Sequence, residues 1–422
     1  MTKRVCIIMG KRIPFMKSHT NYMGLTLREL MKPAMSALVN DLHLEGKMIG
    51  EVSMGAVNKH AYDFALAREI VMDSKLSPRT PATDIQKACG TSLETVIHIA
   101  NKIALGQIEC GIAGGADTNS DLPIEFKKSF SDRLLKLNAA RSIPDKLKVL
   151  SGFSPKELLP KLPAIKEART GKSMGESCED MAKKWNISRE DQDRLAFNSQ
   201  VNAKKAYDEG WYADMVVNFK DKKQDGLVRE TSFEKLSSLK PAFDKKSGNG
   251  TLTAGNSTAL SDGASCVFLC SEEYATKHSL TPLAYLTFAQ SAAVDYVNEE
   301  GLLMAPAYAV PKMLDKAGLS LQDFDFYEIH EAFAAQVLCT LKAWQDEEFC
   351  KKNLGLEKAL GVIDQSKLNV KGGSLALGHP FAATGARIVT GLAKLLNEKG
   401  SGKGLISICT AGGMGVTAII EK

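Results

Sequence analysis

The sequence contains two copies of one pattern, in which a loop of small residues is followed by a predicted helix and then by an apolar strand. The loop around Cys89 precedes a helix over 92–104, and the loop around His379 precedes a helix over 384–396. We expect the two strands to end at glycine pairs, 114–115 and 412–413. Short apolar runs that alternate with segments of helical period predict a layered α/β fold. Two related halves are the simplest interpretation, although such units also recur by chance in α/β proteins.

The length of the chain predicts two or three domains, because 422 residues with 44% hydrophobic content can bury large cores. From about 121 to 250, runs of charged residues lie among amphipathic segments, as in an inserted lobe. We therefore predict three parts: a first half of residues 1–120 plus 251–270, an inserted loop domain of 121–250, and a second half of 271–422.

Charge and cysteine content narrow the classes of function. The net charge of +5 is spread along the chain rather than gathered into a basic arm, so we expect no nucleic-acid partner. Nine cysteines, without Cys-x-x-Cys spacing, indicate a reduced protein and predict no metal site. The amino terminus resembles neither a signal nor a transit peptide, and no apolar stretch has membrane-spanning length. We predict a cytoplasmic protein.

Three reactive side chains lie in small-residue loops: Cys89 in Lys-Ala-Cys-Gly-Thr-Ser, His379 in Gly-His-Pro, and Cys409 in Cys-Thr-Ala-Gly-Gly. Cys89 precedes a predicted helix, whose amino terminus favours a thiolate. His379 is a candidate base for that thiol, and Cys409 is followed by backbone N–H groups able to converge on an anion. Each residue alone is commonly a packing or turn residue. Together they indicate acyl transfer through a thioester.

A fourth candidate follows the apolar strand near 326–329, where we predict that His330-Glu331 begins a helix. His330 is a candidate donor to a thioester oxygen at an oxyanion site. Glu331 either orients neighbouring groups or is a first-turn acid that complements the helix dipole, and the sequence leaves both roles open.

With these motifs in order along nearly the whole chain, the sequence resembles the thiolase family, which cleaves 3-ketoacyl-CoA or condenses two acyl-CoA molecules. Further matches are Arg-Ile-Pro-Phe near the start, Gly-Gly-Ala-Asp at 114–117 and Thr-Ala-Gly-Asn-Ser-Thr at 253–258. The resemblance implies a duplicated five-layer αβαβα architecture with an inserted loop domain. It also implies a homo-dimer or tetramer, with CoA and acyl-CoA as substrates and no separate cofactor.

The resemblance also implies roles for residues. Cys89 would carry the acyl group, His379 would activate it, and Cys409 would move the proton at the substrate α-carbon. The backbone N–H groups of Cys89 and Ala411 would hold one oxyanion, and His379 with His330 would hold the other.

Some positions depart from the common pattern of the family. His330 stands where many thiolases have Asn, and the His-Glu-Ala-Phe segment is similar to the β-subunit of the fatty-acid-oxidation trifunctional complex. This favours degradation of longer acyl chains. CoA contacts are expected at Ser257, Thr258 and Met174, although Thr258 replaces a common Ser and Ser173 stands where short-chain members often carry His.

Four hypotheses remain open at this level. The leading one is a 3-ketoacyl-CoA thiolase of β-oxidation, and the second is an acetoacetyl-CoA-forming enzyme with the same residues. A decarboxylating ketoacyl synthase would be expected to have His or Asn in place of Cys409. The fourth is a chain that chiefly docks a hydratase–dehydrogenase subunit, and association with a membrane would then arise only through that complex.

Overall fold

The computed structural model describes residues 2–161, 166–298 and 300–422. The strands are β1 (Val5–Arg12), β2 (Met16–Lys17), β3 (Glu51–Met54), β4 (Ala82–Asp84), β5 (Cys110–Asp117), β6 (Glu125–Phe126), β7 (Pro160–Lys161), β8 (Ser261–Ser271), β9 (Ala284–Ala293), β10 (Phe326–Ile329), β11 (Lys403–Thr410) and β12 (Met414–Glu421). The helices are α1 (Leu27–Asp41), α2 (Leu66–Asp73), α3 (Thr91–Ala104), α4 (Lys128–Ala139), α5 (Ile143–Leu150), α6 (Met174–Lys184), α7 (Arg189–Asp208), α8 (Phe233–Ser237), α9 (Glu272–Lys277), α10 (Ala305–Ala317), α11 (Ala334–Gln345), α12 (Glu347–Leu354), α13 (Ser374–Leu377) and α14 (Thr384–Lys399).

The central sheet has the strand order β10-β11-β12-β9-β1-β8-β5-β3-β4, with β2 paired to β8. Read outward from the centre, both sides repeat one pattern. The first side has β1, β8, β5 and β3, with β4 added in parallel beyond β3, and the second has β9, β12, β11 and β10. Within each set of four strands, the last pair is parallel and the other pairs are antiparallel. The two sides meet where β1 pairs with β9. This matching topology is what a duplicated α/β unit produces.

Helices cover both faces of the sheet. The helices α3 and α14 share one apolar cluster with strands from both sides of the sheet. On the opposite face, α1 and α2 pack on the first side of the sheet, and α10 and α11 pack on the second. The two sides of the sheet share the layer of α3 and α14, and each side has its own helices on its other face. The order of layers is therefore α1 and α2, the first side of the sheet, α3 and α14, the second side of the sheet, and α10 and α11. The predicted α/β layering is therefore confirmed.

Close packing of α3 on α14 depends on Gly385. A Cβ at this position would collide with the backbone nitrogen of Leu93 in α3. Because glycine lacks a Cβ, it allows two helices to approach at such a position. The amino termini of both helices consequently lie side by side, each directly after a loop that carries a reactive side chain.

The segment between the two halves is described over 121–161 and 166–250. It contains α4 to α8 and a small sheet of β6 and β7. Ser188 caps α7 by accepting a hydrogen bond from the backbone of Asp191, as its sequence predicts. A buried bidentate ion pair joins the segment to β1, with N···O distances of 2.5 and 2.7 Å between Arg12 and Asp225. The residue limits of the predicted parts stay predictions.

Two local predictions are wrong. The strand β5 does not end at Gly114 and Gly115 but continues to Asp117, because these glycines allow close contacts with neighbouring segments rather than forming a turn. The helix expected at His330 begins only at Ala334. The second glycine pair does follow the end of β11, in a turn where both glycines have positive φ. Within the described residues, no helix combines the length and apolar character needed to cross a membrane.

Candidate active site

Cys89 lies in a single 3-10 turn, Ala88–Gly90, directly before α3. The residue before it, Ala88, has a φ of 45°, a left-handed conformation that is strained for a residue with a Cβ. The backbone N–H groups of Ala411 and of Cys89 itself favour the ionised sulfur and so act to lower the pKa of Cys89. Cys89 is partly exposed, whereas the other eight cysteines of the described chain are buried. The fold therefore presents this one thiol to a ligand.

The electrostatics of Cys89 differ from the expectation for a helix amino terminus. Burial of the sulfur raises the pKa of Cys89 to about 12, and the hydrogen bond from Ala411 only partly opposes that effect. Desolvation outweighs the helix dipole because it penalises the charged thiolate directly. The direction of this shift opposes the thiolate that the sequence predicts, because desolvation favours the neutral thiol in the free site.

His379 lies in the loop between α13 and α14, and its ring is buried. Its Nδ1 lies 2.6 Å from Oγ1 of Thr384, and its Nε2 has no hydrogen-bond partner among the described residues. Burial lowers the pKa of His379 to about 3, with a further contribution from the positive charge of Arg387. The imidazole is neutral at physiological pH, as a general base must be.

His330 follows β10 directly and is also buried. Its ring centroid lies 4.1 Å from that of His379, with an angle of 51° between the ring planes. The Nδ1 of His330 lies 2.8 Å from Oγ of Ser374, and its Nε2 finds no partner within the described chain. Burial, together with His379 and Arg387, holds the pKa of His330 well below its usual value. Two neutral imidazoles therefore lie side by side.

The cluster of Cys89, His330 and His379 brings together residues that are far apart in sequence. The Cys89 sulfur and one ring nitrogen of each histidine all lie within 4.8 Å of one another. A thiol and two imidazoles are also the residues of this site that could hold a metal ion, although the sequence predicts none. The unpartnered nitrogens suit proton transfer and oxyanion binding equally well.

Cys409 completes the group from β11, where it pairs with Gly415 of β12 and is buried. Burial raises the pKa of Cys409 well above its usual value, and the neighbouring Cys89 raises it further. Cys409 is therefore a protonated thiol next to the first one. The structure brings together the four side chains that the sequence singled out, with the backbone N–H of Ala411 beside them.

Glu331 is not a first-turn acid, because it precedes α11 and is buried. Its carboxylate accepts hydrogen bonds from Ser199 at 2.7 Å, from Asn369 at 2.6 Å and from the backbone of Leu375 at 3.1 Å. Of the two roles left open by the sequence, the structure supports the orienting one. Gly373 makes room for this carboxylate, since a Cβ there would collide with it.

The residues expected to contact CoA lie around this group. Thr258 donates to the backbone oxygen of Ser374 at 3.1 Å. The hydroxyl of Ser257 is buried and has no hydrogen-bond partner among the described residues. Met174 is the first residue of α6 and packs against the apolar cluster that contains Cys409. Of the three, Thr258 is linked to the reactive group through Ser374, which contacts His330.

Several further residues of the site were assigned no role from the sequence. They form hydrogen bonds to the reactive side chains or to the groups next to them, and they are Asp117, Ser199, Asn369, Ser374, Thr384 and Arg387. Asp117, for example, accepts at 2.7 Å from the backbone of Ala382, beside the His379 loop. Burial raises its pKa to about 7. The Gly-Gly-Ala-Asp motif was noted, but nothing local indicated which distant segment its aspartate would hold.

Comparison with known proteins agrees with this arrangement. The profile for the thiolase N-terminal domain matches residues 5–273, and that for the thiolase C-terminal domain matches residues 280–422. Proteins named 3-ketoacyl-CoA thiolase from Shewanella baltica and Pectobacterium carotovorum are each 41% identical to the chain. The alignments span 99% of it and 97% and 96% of those proteins.

Solved structures are similar over the whole chain. Human mitochondrial 3-ketoacyl-CoA thiolase has a TM-score of 0.81 at 28% identity, and the Bacillus anthracis acetyl-CoA acetyltransferase has a TM-score of 0.81 at 30% identity. Both matches cover 100% of this chain and 99% of the other. On the profiles, the full-length identities and the shared fold, the chain belongs to the thiolase family of acyltransferases.

Proposed function

We propose that this protein is a 3-ketoacyl-CoA thiolase that cleaves 3-ketoacyl-CoA with CoA, giving acetyl-CoA and an acyl-CoA two carbons shorter. The observation that carries the proposal is the cluster in which the Cys89 sulfur and the His330 and His379 nitrogens lie within 4.8 Å of one another. The names of the full-length relatives support the same reaction. The four reactive side chains supply a nucleophile, a base, an acid and an oxyanion donor.

In the first step, Nε2 of His379 takes the proton of Cys89 while the sulfur attacks the 3-keto carbon. The low pKa of His379 and the high pKa of Cys89 mean that the proton moves as the carbon–sulfur bond forms, not before it. The ketone oxygen becomes an oxyanion that the backbone N–H groups of Cys89 and Ala411 bind. Both groups favour negative charge at the Cys89 sulfur, and we assign them to the oxyanion that forms on the carbon bonded to it.

In the second step, the bond between the α-carbon and the 3-keto carbon breaks, leaving the acyl group on Cys89. The electron pair passes to the acetyl-CoA fragment as an enolate, whose thioester oxygen is bound by His330 and protonated His379. Cys409 then donates its proton to the α-carbon, and acetyl-CoA leaves. Burial keeps Cys409 protonated and so suits it to this role. Cys409, now a thiolate, takes the proton of the thiol of a second CoA, whose sulfur attacks the acyl-Cys89 thioester. The bond from the acyl carbon to Cys89 breaks, the Cys89 sulfur recovers its proton from protonated His379, and the shortened acyl-CoA is released.

The binding partners belong to the same proposal. We assign CoA contacts to Ser257, Thr258 and Met174, where the unpartnered hydroxyl of Ser257 supports a polar ligand. One structure of the human mitochondrial enzyme was solved in complex with CoA. We further propose a cytoplasmic homo-dimer or tetramer, in keeping with the nine free cysteines, and association with a hydratase–dehydrogenase subunit. Any contact with a membrane would be peripheral and through that complex.

The test is CoA-dependent thiolysis of a long-chain 3-ketoacyl-CoA and of acetoacetyl-CoA at matched concentrations. We expect faster cleavage of the long chain, together with an acyl adduct on the Cys89 peptide in the mass spectrum when free CoA is withheld. Cys89→Ala should lose both the activity and the adduct, whereas Cys350→Ala, which removes a buried thiol in α12, should keep both.

The other outcomes separate the alternatives. Preference for acetoacetyl-CoA would replace the proposal with an acetoacetyl-CoA-forming enzyme. Release of carbon dioxide from a malonyl thioester would indicate a decarboxylating synthase. Full turnover by Cys89→Ala would overturn the acyl-cysteine mechanism.

A further inference from the structure

His330 and His379 form a pair of neutral imidazoles that need opposite proton positions. Each has an Nδ1 next to a hydroxyl group and an Nε2 that is buried and has no partner in the described chain. In the proposed reaction, Nε2 of His379 must begin as an acceptor, and Nε2 of His330 must carry a hydrogen to donate to the thioester oxygen. A neutral imidazole carries one hydrogen, so the bond made by Nδ1 decides the state of Nε2.

The hydrogen bonds of Ser374 indicate the state of His330. Nη2 of Arg387 donates to Oγ of Ser374 at 3.0 Å, and a guanidinium has no acceptor. The hydroxyl proton of Ser374 must therefore go to another group, and Nδ1 of His330 lies at 2.8 Å. With Nδ1 as the acceptor, the ring hydrogen of His330 is on Nε2, which is buried and has no other partner in the described chain.

The hydrogen bonds of Thr384 give the opposite result for His379. The Thr384 hydroxyl donates to the backbone oxygen of Pro380 at 3.4 Å. Its Oγ1 is then free to accept from Nδ1–H of His379 at 2.6 Å. The ring hydrogen is used in that bond, so the buried and unpartnered Nε2 of His379 carries a free lone pair.

We propose that Arg387 and Ser374 are positioning residues that hold His330 as the Nε2–H tautomer, while Thr384 holds His379 as the Nδ1–H tautomer. The assignment of what the two nitrogens do rests on the proposed function. The tautomers themselves follow from the hydrogen-bond donors and acceptors around each ring. One ring is thereby fixed as an oxyanion donor and its neighbour as a base.

The burial of Arg387 supports a specific role. Arg387 is buried, and its Nε has no hydrogen-bond partner in the part of the chain that the structure describes. A buried guanidinium with incomplete pairing costs free energy, and an apolar residue of similar size is often tolerated better at such a position. Its clear hydrogen bond is the one that orients Ser374. A need to orient the Ser374 hydroxyl at the active site would explain why the chain keeps a buried and incompletely paired guanidinium at Arg387.

Nuclear magnetic resonance of ¹⁵N-histidine-labelled protein tests the proposal directly, because protonated and unprotonated ring nitrogens have different shifts. The chain has seven histidines, and the His330→Asn and His379→Asn variants assign the two signals. In the full-length wild type we expect Nε2–H for His330 and Nδ1–H for His379. In Ser374→Ala the His330 signal should shift toward the other tautomer while His379 stays unchanged. Thr384→Val should affect His379 alone.

Kinetics provide the second readout. Ser374→Ala should lower the kcat of thiolysis at least about tenfold with little change in KM, since a donor used in the transition state is lost. Ser53→Ala, which removes a buried and unpartnered hydroxyl in β3, is the matched control and should keep full activity.

Two results would overturn the inference: a His330 ring with hydrogen on Nδ1 in the wild type, or a tautomer that is unchanged in Ser374→Ala. The wild-type spectrum decides the matter even if a variant fails to fold. Absence of thiolysis in the wild type would instead overturn the proposed function, and the spectra would still report the tautomers.

Discussion

The rate at which iodoacetamide alkylates Cys89 reports the protonation state of this thiol in the free enzyme. Burial raises the pKa of Cys89 to about 12, and the adjacent His379 is too weakly basic to take the proton at rest. At about pH 7.5 such a thiol is ionised in about three molecules in 10⁵, against about three in 10² for a thiol of pKa about 9. The more basic thiolate is roughly 20-fold more nucleophilic, which offsets part of this difference. We expect alkylation roughly 50-fold slower than for an unperturbed thiol.

The assay follows the Cys89 peptide by mass spectrometry after timed labelling at a series of pH values without CoA esters, with glutathione as the reference thiol. We expect the logarithm of the rate to rise by about one unit per pH unit, with no plateau near neutrality. His379→Asn should change the rate by only a few-fold, since a neutral imidazole contributes little to the charge of the resting thiol. A plateau near or below neutral pH, together with a large loss in His379→Asn, would reveal a thiolate–imidazolium pair and refute the reasoning.

Three further predictions concern other parts of the site. Cys409→Ala should slow the exchange of the acetyl-CoA methyl protons with heavy water by a factor of about 10² or more, measured by proton NMR. Cys89 should still accept an acetyl group in this variant. Exchange at the wild-type rate would exclude the acid role of Cys409. Ala88→Gly should change the free energy of unfolding, measured in urea, by less than about 1 kcal/mol. Glycine relieves the strain of the positive φ, and this gain offsets the added conformational entropy of the unfolded chain. A larger loss of stability would mean that Ala88 is not strained. The pKa of His379 is lowered on folding, so its contribution to stability is present at neutral pH and is lost as the pH falls below about 6.5 toward about 3. At about pH 5 that loss is about 2 kcal/mol. In urea titrations, the free energy of unfolding of His379→Asn should therefore fall by about 2 kcal/mol less than that of the wild type between neutral pH and about pH 5. An equal fall in both proteins would contradict the effect of burial on the pKa of His379.

Much of the fold and of the reactive group can be predicted from the sequence. The alternation of apolar runs and helical segments determines the α/β class, because strand and helix periods are local properties of the chain. The cap of α7 at Ser188 is equally local. Cys89, His379 and Cys409 stand out because small residues surround each of them, and the structure brings all three together.

The sequence predictions failed where a distant segment decided the outcome. Glycines at 114–115 look like a strand end, yet they accommodate contacts with β8 and with Ala382. For Glu331 the sequence left two roles open, and only the contacts with Ser199 and Asn369 from other parts of the chain favour the orienting one. Windows of a few residues carry no information about which remote group fills the space beside them.

By itself, therefore, the sequence determined the layered class, the capped helices and the identity of the reactive side chains, since these depend on residue type and short-range period. Only the tertiary structure decided their chemical state. The pKa of Cys89 is set by burial, and the proton positions of His330 and His379 depend on hydroxyl groups that packing places beside the rings. Desolvation and hydrogen-bond geometry act across segments that meet only in the folded chain, which is why no local pattern reports them.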